Sequence, residues 1–158
     1  MYTNVLMDVF IEFSAQYLYI FVVLIGLIIF LRSSKEVKKR YFILSFLTLP
    51  LSFITGVIGN LLIKDPRPFI VEHIQPLIHA STDNGFPSDH TLLTMTVASI
   101  IFAYHKKSGI FLGLMAFWIG ISRVLVFVHH PLDIFGSIVI SVFATLVSWL
   151  LLKKMEFI

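Results

Sequence analysis

Long apolar runs make up most of the chain, and short polar clusters separate them. Tyr17 to Leu31 is unbroken apolar sequence, with Glu12 and Gln16 marking its front end. Tyr41 to Ile63 carries no charge, and neither does Ile134 to Leu152. A helix needs about 20 mostly apolar residues to cross the hydrocarbon core of a bilayer. The pattern therefore predicts five spanning helices, over 14–32, 41–63, 89–105, 109–128 and 132–152. Residues 1–13 either form a short interfacial helix or lengthen the first span. The expected fold class is all-α, a polytopic transmembrane helical bundle, with residues 1–158 as one integral membrane domain. There is no internal repeat, low-complexity tract or linker.

Composition supports this class and excludes others. Of 158 residues, 58% are hydrophobic and 13% charged, where a soluble domain carries about a quarter charged residues. Cysteine is absent, which removes disulfides and thiolate metal sites. The opening MYTNVLMD lacks the basic segment of a cleavable signal peptide. The net charge is +3, but the basic residues sit beside apolar runs rather than in a groove-like patch. They speak of topology, and no nucleic-acid partner is expected.

Basic residues collect on the cytoplasmic side of membrane proteins. With the N-terminus outside, Arg32, Lys35, Lys38, Lys39, Arg40, Lys106, Lys107, Lys153 and Lys154 fall on one side. Only Lys64, Arg67 and Arg123 fall on the other, where most acidic residues also lie. The expectation is an integral plasma-membrane protein with the N-terminus outside and the C-terminus cytoplasmic. The 64–88 connection is then external. At about 25 residues it exceeds ordinary loop length, which points to function. It opens with KDPRPF, Lys64 to Phe69. Pro66 disfavours helix at Asp65, so the second span should end there, with Arg67 just beyond.

The scarce polar residues lie in NGFPSDHTLL, Asn84 to Leu93, and SRVLVFVHHPLD, Ser122 to Asp133. With Arg67 they share one membrane face. Two guanidiniums suit a phosphate, whose oxygens they match bidentately. Ser88 is placed to cap the third span, and a helix N-terminus offers free N–H groups to an anion. The spacing of His129 and Asp133 lets the carboxylate reach one imidazole nitrogen, leaving the other to attack. A second histidine, His90, can protonate a leaving oxygen. The residues read as a site for phosphoryl transfer through a phosphohistidine.

These residues resemble the type 2 phosphatidic acid phosphatase superfamily, whose motifs are Lys-x6-Arg-Pro, Pro-Ser-x-His and Ser-Arg-x5-His-x3-Asp. The first corresponds to Asn60 to Pro68 (NLLIKDPRP), the second to Pro87-Ser88-Asp89-His90, and the third to Ser122-Arg123, His129 and Asp133. The resemblance implies that Arg67, Ser88 and Arg123 bind phosphate, that His90 is the general acid, that His129 is the nucleophile and that Asp133 orients it. Asn60 stands where the family has Lys, and Asp89 where it commonly has Gly. Lys64, four residues after Asn60, is the expected auxiliary cation.

Together with PRPF and FPSDHT, these departures resemble the bacitracin-resistance branch, the undecaprenyl-diphosphate phosphatases. That branch implies hydrolysis of undecaprenyl diphosphate to undecaprenyl phosphate and inorganic phosphate at an outward-facing site. No metal or cofactor is implied. The partners are the polyprenyl diphosphate lipid and the surrounding membrane lipids, and no protein partner is implied. Phosphatidylglycerophosphate, phosphatidic acid or another polyprenyl lipid is the alternative substrate.

Other readings of the same residues exist. Arg123 and Asp133 also fit an intramembrane ion pair. Asp89, His90, His129 and Asp133 also fit a hydrolytic metal centre, although two nearby arginines would repel a dication. A non-catalytic lipid-binding or transport-linked protein that kept the fold is the alternative from another class, and only Asn60 favours it. His130 reads as a helix-start neighbour of His129. His73, His79 and Glu72 read as loop-surface residues, and His105, beside Lys106 and Lys107, lies on the opposite side. Asn60, Ser52 and Thr55 are candidates for helix–helix hydrogen bonds.

Overall fold

The computed structural model describes residues 5–157. Its order is α1 (Val5–Arg32), α2 (Lys35–Leu62), α3 (Pro68–Val71), α4 (Asp89–Tyr104), α5 (Lys106–Leu125) and α6 (Pro131–Lys154). Every predicted span coincides with a helix, and the fold is all-α. Residues 5–13 lengthen the first span instead of forming a separate helix; residues 1–4 lie outside the described residues. The second helix begins six residues before Tyr41, at Lys35, because Ser34 caps it: Ser34 Oγ accepts from Val37 N at 3.4 Å. The short α3 was not expected. Pro68 starts it, a position where proline's missing N–H costs nothing.

The third span differs from the other four. By length and composition α1, α2, α5 and α6 can each cross a membrane. The 16 residues of α4 rise only about 24 Å, short of the roughly 30 Å hydrocarbon core. It packs against α1, α2, α5 and α6 and buries Thr91, Leu92, Thr94, Thr96, Ala98, Ile100 and Ile101. The centre of the bundle is therefore α4.

Polarity is inverted relative to a soluble protein. Phe46 and Leu62 are 76% and 77% exposed, whereas Thr48, Thr91, Thr94, Ser137 and Ser141 are fully buried. In lipid there is no hydrophobic drive between helices, so small residues and hydroxyl bonds hold them. Ser52 on α2 lies 2.8 Å from the Thr96 hydroxyl, and Thr96 donates to Ser141 on α6 at 3.0 Å. Ser52 thus makes the expected interhelical bond. Thr55 instead donates to Leu51 O of its own helix at 2.7 Å. At the far end from the polar clusters, His105 alone connects α4 to α5, and Tyr41 Oη lies 2.6 Å from its Nδ1.

Segment 63–88 packs onto the end of the bundle where α4 begins. Pro66 and Asn84 pair as an isolated bridge. The Asn84 side chain accepts from Asp65 N at 2.7 Å and donates to Asn60 O at 2.9 Å and Ile63 O at 2.8 Å. Ile78 joins Ala15, Val126 and Val128 in a small apolar cluster. Phe86 inserts between α2 and α6. A Cβ on Gly59 would lie 2.9 Å from its ring, and one on Gly136 would overlap it. Only glycines leave room for this ring, which seats Pro87 and Ser88 at the head of α4.

Candidate active site

The third polar cluster is set by how α5 ends. Val128 N donates to Arg123 O at 3.2 Å and Phe127 N to Val124 O at 3.0 Å. This is a Schellman motif, with Phe127 at φ 63° in the position usually taken by glycine. A bulky side chain there costs about 1–2 kcal/mol. The turn brings Arg123, late in α5, and His129, just past it, to one point. His130 then caps α6: its backbone N–H donates to Asp133 Oδ2 at 2.9 Å, the placement expected for it.

Arg67, Arg123 and Asp133 converge on His129. Arg67 Nη1 lies 3.3 Å and Arg123 Nη2 3.4 Å from His129 Nε2. His129 Nδ1 lies 3.1 Å from Asp133 Oδ2. Guanidinium groups only donate, so Nε2 is the accepting, lone-pair nitrogen and the proton sits on Nδ1, facing Asp133. Arg67, Arg123, His129 and Asp133 are 7%, 8%, 3% and 0% exposed, so the imidazole is held out of water with its lone pair aimed between two cations. Burial, the largest influence, pushes the His129 pKa below its ordinary value. The two guanidiniums push the same way, and the Asp133 hydrogen bond opposes them.

The two guanidiniums are not equally partnered. Arg67 donates through Nε at 3.1 Å and Nη2 at 2.8 Å to Asp83 Oδ1, and through Nη1 at 3.0 Å to Val128 O. Ser81 Oγ also donates to Asp83 at 2.6 Å, and this bond is the first cause that lowers the Asp83 pKa. Among the described residues Arg123 has only the Ala15 carbonyl, at 3.2 Å, beyond His129, and its Nε is buried without a partner. A buried guanidinium without a carboxylate is costly. The N–H groups of Arg123 are thus left available to an anion.

The remaining predicted residues fall as follows. Ser88 is the N-cap residue of α4 and is fully buried, but its hydroxyl accepts from Thr91 at 3.2 Å and does not cap the helix. His90, in the first turn of α4, stands within electrostatic reach of Arg123, His129 and Arg67, edge-on to Tyr19 with ring centroids 4.7 Å apart. Asn60 Nδ2 donates to Phe86 O at 2.8 Å, a bond that anchors the second motif. Lys64 is exposed, with no hydrogen bond or ion pair among the described residues. Asp89 is also exposed, and with Asn60 it lines a cavity of about 120 Å³ between α2 and α4. The structure does not bring Lys64 to the imidazole. His73, His79 and Glu72 are exposed loop residues, and His105 lies at the other end of the bundle. Among the described residues no three His, Asp or Glu side chains are grouped to hold a metal ion.

Sequence reasoning missed Asp65, Asp83, Asn84 and Gly85, which position the motif residues. The one available signal was the Asn-Gly pair ahead of Phe86, a turn dipeptide.

Buried histidine, paired carboxylate and two arginines at the head of a membrane bundle define a class. The chain belongs to the PAP2 superfamily, whose family model matches residues 40–156, and it is an integral membrane lipid phosphatase. It is similar to the bacitracin transport permease protein BcrC of Bacillus licheniformis, 32% identical over 147 residues that cover 92% of this chain and 72% of that one. It is also similar to the undecaprenyl-diphosphatase BcrC of Bacillus subtilis (strain 168), 29% identical over 143 residues, with 88% and 72% covered. These relatives place it with the bacitracin-resistance branch. Among solved structures, Aquifex aeolicus LpxE superposes with a TM-score of 0.75 at 29% identity, covering 94% of this chain and 88% of that one. A PAP2-type phosphatidylglycerolphosphate phosphatase from Bacillus subtilis shares the fold, with a TM-score of 0.53 at 21% identity over 97% and 89% of the two chains.

Proposed function

We propose that the chain hydrolyses undecaprenyl diphosphate to undecaprenyl phosphate and inorganic phosphate, without a metal, at the outer face of the plasma membrane. The observation that carries the reading is the convergence of two buried guanidiniums on His129 Nε2. The substrate follows from the Bacillus subtilis relative named an undecaprenyl-diphosphatase, and the outward face from the distribution of basic residues.

The terminal phosphoryl group enters between Arg67 and Arg123, which transfer their N–H groups from His129 Nε2 to the phosphate oxygens. Ser88 and the free N–H groups at the start of α4 complete the anion site. The freed lone pair attacks phosphorus as the bond to the bridging oxygen breaks, and His90 gives that oxygen its proton. Asp133 holds the Nδ1 proton and steadies the positive imidazole. The guanidiniums meet the charge that develops on the transferring group. Water, deprotonated by His90, then attacks the phosphohistidine; inorganic phosphate leaves and His129 is neutral again.

The test is phosphate release by protein purified in detergent, with a chelator present. Undecaprenyl diphosphate is compared with phosphatidylglycerophosphate and phosphatidic acid. Release from the diphosphate alone supports the reading, and release from the glycerolipids moves the substrate. The relative named a transport permease favours a second reading, a transport-linked lipid-binding protein. No release from any lipid would support that one.

A further inference from the structure

Asp133 poses a problem that the mechanism leaves open. It is 0% exposed, and its Oδ2 serves both His129 Nδ1 and His130 N. Its Oδ1 is equally buried and has no donor among the described residues. An unpaired carboxylate oxygen beside a catalytic imidazole costs stability.

Asp65 stands next to it. The Asp65 backbone is fixed from two sides: its N–H donates to Asn84 Oδ1 at 2.7 Å, and its carbonyl accepts from Gly85 N at 2.8 Å. Gly85 also abuts Asp133, since a Cβ there would lie 2.9 Å from Asp65 O and 3.0 Å from Asp133 Oδ2. Gly85 and His130 thus each touch both residues, which sets the partly buried Asp65 side chain beside Asp133. On its other side, His130 Nε2 lies 3.2 Å from Pro66 O and 3.6 Å from Asp65 Oδ1. A carbonyl only accepts, so His130 Nε2 carries a proton and donates it to Pro66 O, with Asp65 Oδ1 alongside.

Two carboxylates side by side, one of them wholly buried, cannot both be ionised comfortably. Burial, and then the Asp133 charge, push the Asp65 pKa up, while His130 pulls it down. We propose that Asp65 is a positioning residue which, as a carboxylic acid, donates a hydrogen bond to Asp133 and so locks the carboxylate that orients His129. The charged and titratable groups around the pair are His129 and Arg67 on the site side and His130 behind. Asp65 touches no substrate. The proton it holds stays between the two carboxyl groups through the reaction, so no bond to substrate forms or breaks there.

The inference rests on the His129 reading, and three variants separate the two. Asp65→Asn keeps a donor toward Asp133 and an acceptor toward His130, with no proton to lose. Asp65→Ala and Asp65→Leu remove the donor. Wild-type phosphate release from undecaprenyl diphosphate, lost in His129→Ala, establishes the underlying reading first. Against that baseline Asp65→Asn is expected to keep most of kcat, while Asp65→Ala and Asp65→Leu lower kcat by about tenfold with little change in KM. Wild type should lose kcat as alkali ionises Asp65, and Asp65→Asn should stay flat over the same range. Independently of turnover, infrared spectra of wild type should contain a protonated-carboxyl band that is absent from Asp65→Asn. Full kcat in Asp65→Ala and Asp65→Leu, or no such band in wild type, would overturn the proposal while leaving His129 untouched. Absence of wild-type turnover would instead overturn the reading beneath it, and the infrared band would still decide the protonation of Asp65.

Discussion

His129 Nδ1 lies 3.1 Å from Asp133 Oδ2, across the turn between α5 and α6. The same oxygen accepts the His130 N–H that starts α6. One carboxylate oxygen therefore both begins a helix and sets the tautomer of the imidazole. Asn in its place would present either an amide N–H, which favours the wrong tautomer, or a weaker neutral acceptor. Asp133→Asn is expected to lower kcat by about 10³–10⁴. Thermal unfolding should change far less, because the amide oxygen can still cap α6. Steady-state kinetics beside a melting curve checks both, and a variant with near-normal kcat would contradict the role.

Gly85 sits in the tight space between Asp65 and Asp133. Adding one methyl group there forces one of them to move, at a cost of about 1–3 kcal/mol. Gly85→Ala is expected to express and fold but lose most of its kcat. A fully active Gly85→Ala would mean that Asp133 can shift without consequence.

Asp83 binds Arg67 at 2.8 Å from a side chain that is 66% exposed. Exposed ion pairs are worth less than about 1 kcal/mol, so its contribution to stability is small. Its negative charge, however, faces the site where an anionic substrate must bind. Asp83→Asn keeps an oxygen for Arg67 and removes the charge. KM is expected to fall by about threefold with kcat preserved. A raised KM would mean that Arg67 needs the full charge to stay in place.

The pH profile follows from burial of His129. Only the neutral imidazole attacks, and its pKa is depressed. The neutral form then persists below the ordinary value of about 6.5. The acid limb of kcat/KM should therefore lie below that value, once corrected for the substrate's own phosphate ionisation near pH 6. A limb above the ordinary value would mean that Asp133 outweighs burial and the arginines.

Much of this was legible in the sequence because both signals are local. Apolar runs mark helices, and all five predicted runs are helices, four of them long enough to span. Fixed spacing carried His129 and Asp133, four residues apart across a single turn. What depended on contacts distant in sequence was not legible. The length of α4 differs little from a spanning run, and only its neighbours make it the centre of the bundle. Asn60 looked like a lost cation, but its bond to the Phe86 carbonyl spans 26 residues and a whole loop. Lys64 looked like its substitute, yet the turn at Pro66 leaves it outside. Asp65 and Asp83 gave no periodic or motif signal. Their roles come from a loop folded by Asn84 and packed by Ile78.

The most direct test of the central claim is rapid-quench trapping of the enzyme during turnover of undecaprenyl diphosphate labelled in its terminal phosphate. Wild type is expected to carry base-stable, acid-labile label at His129, and His129→Ala to carry none and turn over nothing while keeping its fold. Label elsewhere, or wild-type turnover by His129→Ala, would contradict the assignment of His129 as the nucleophile.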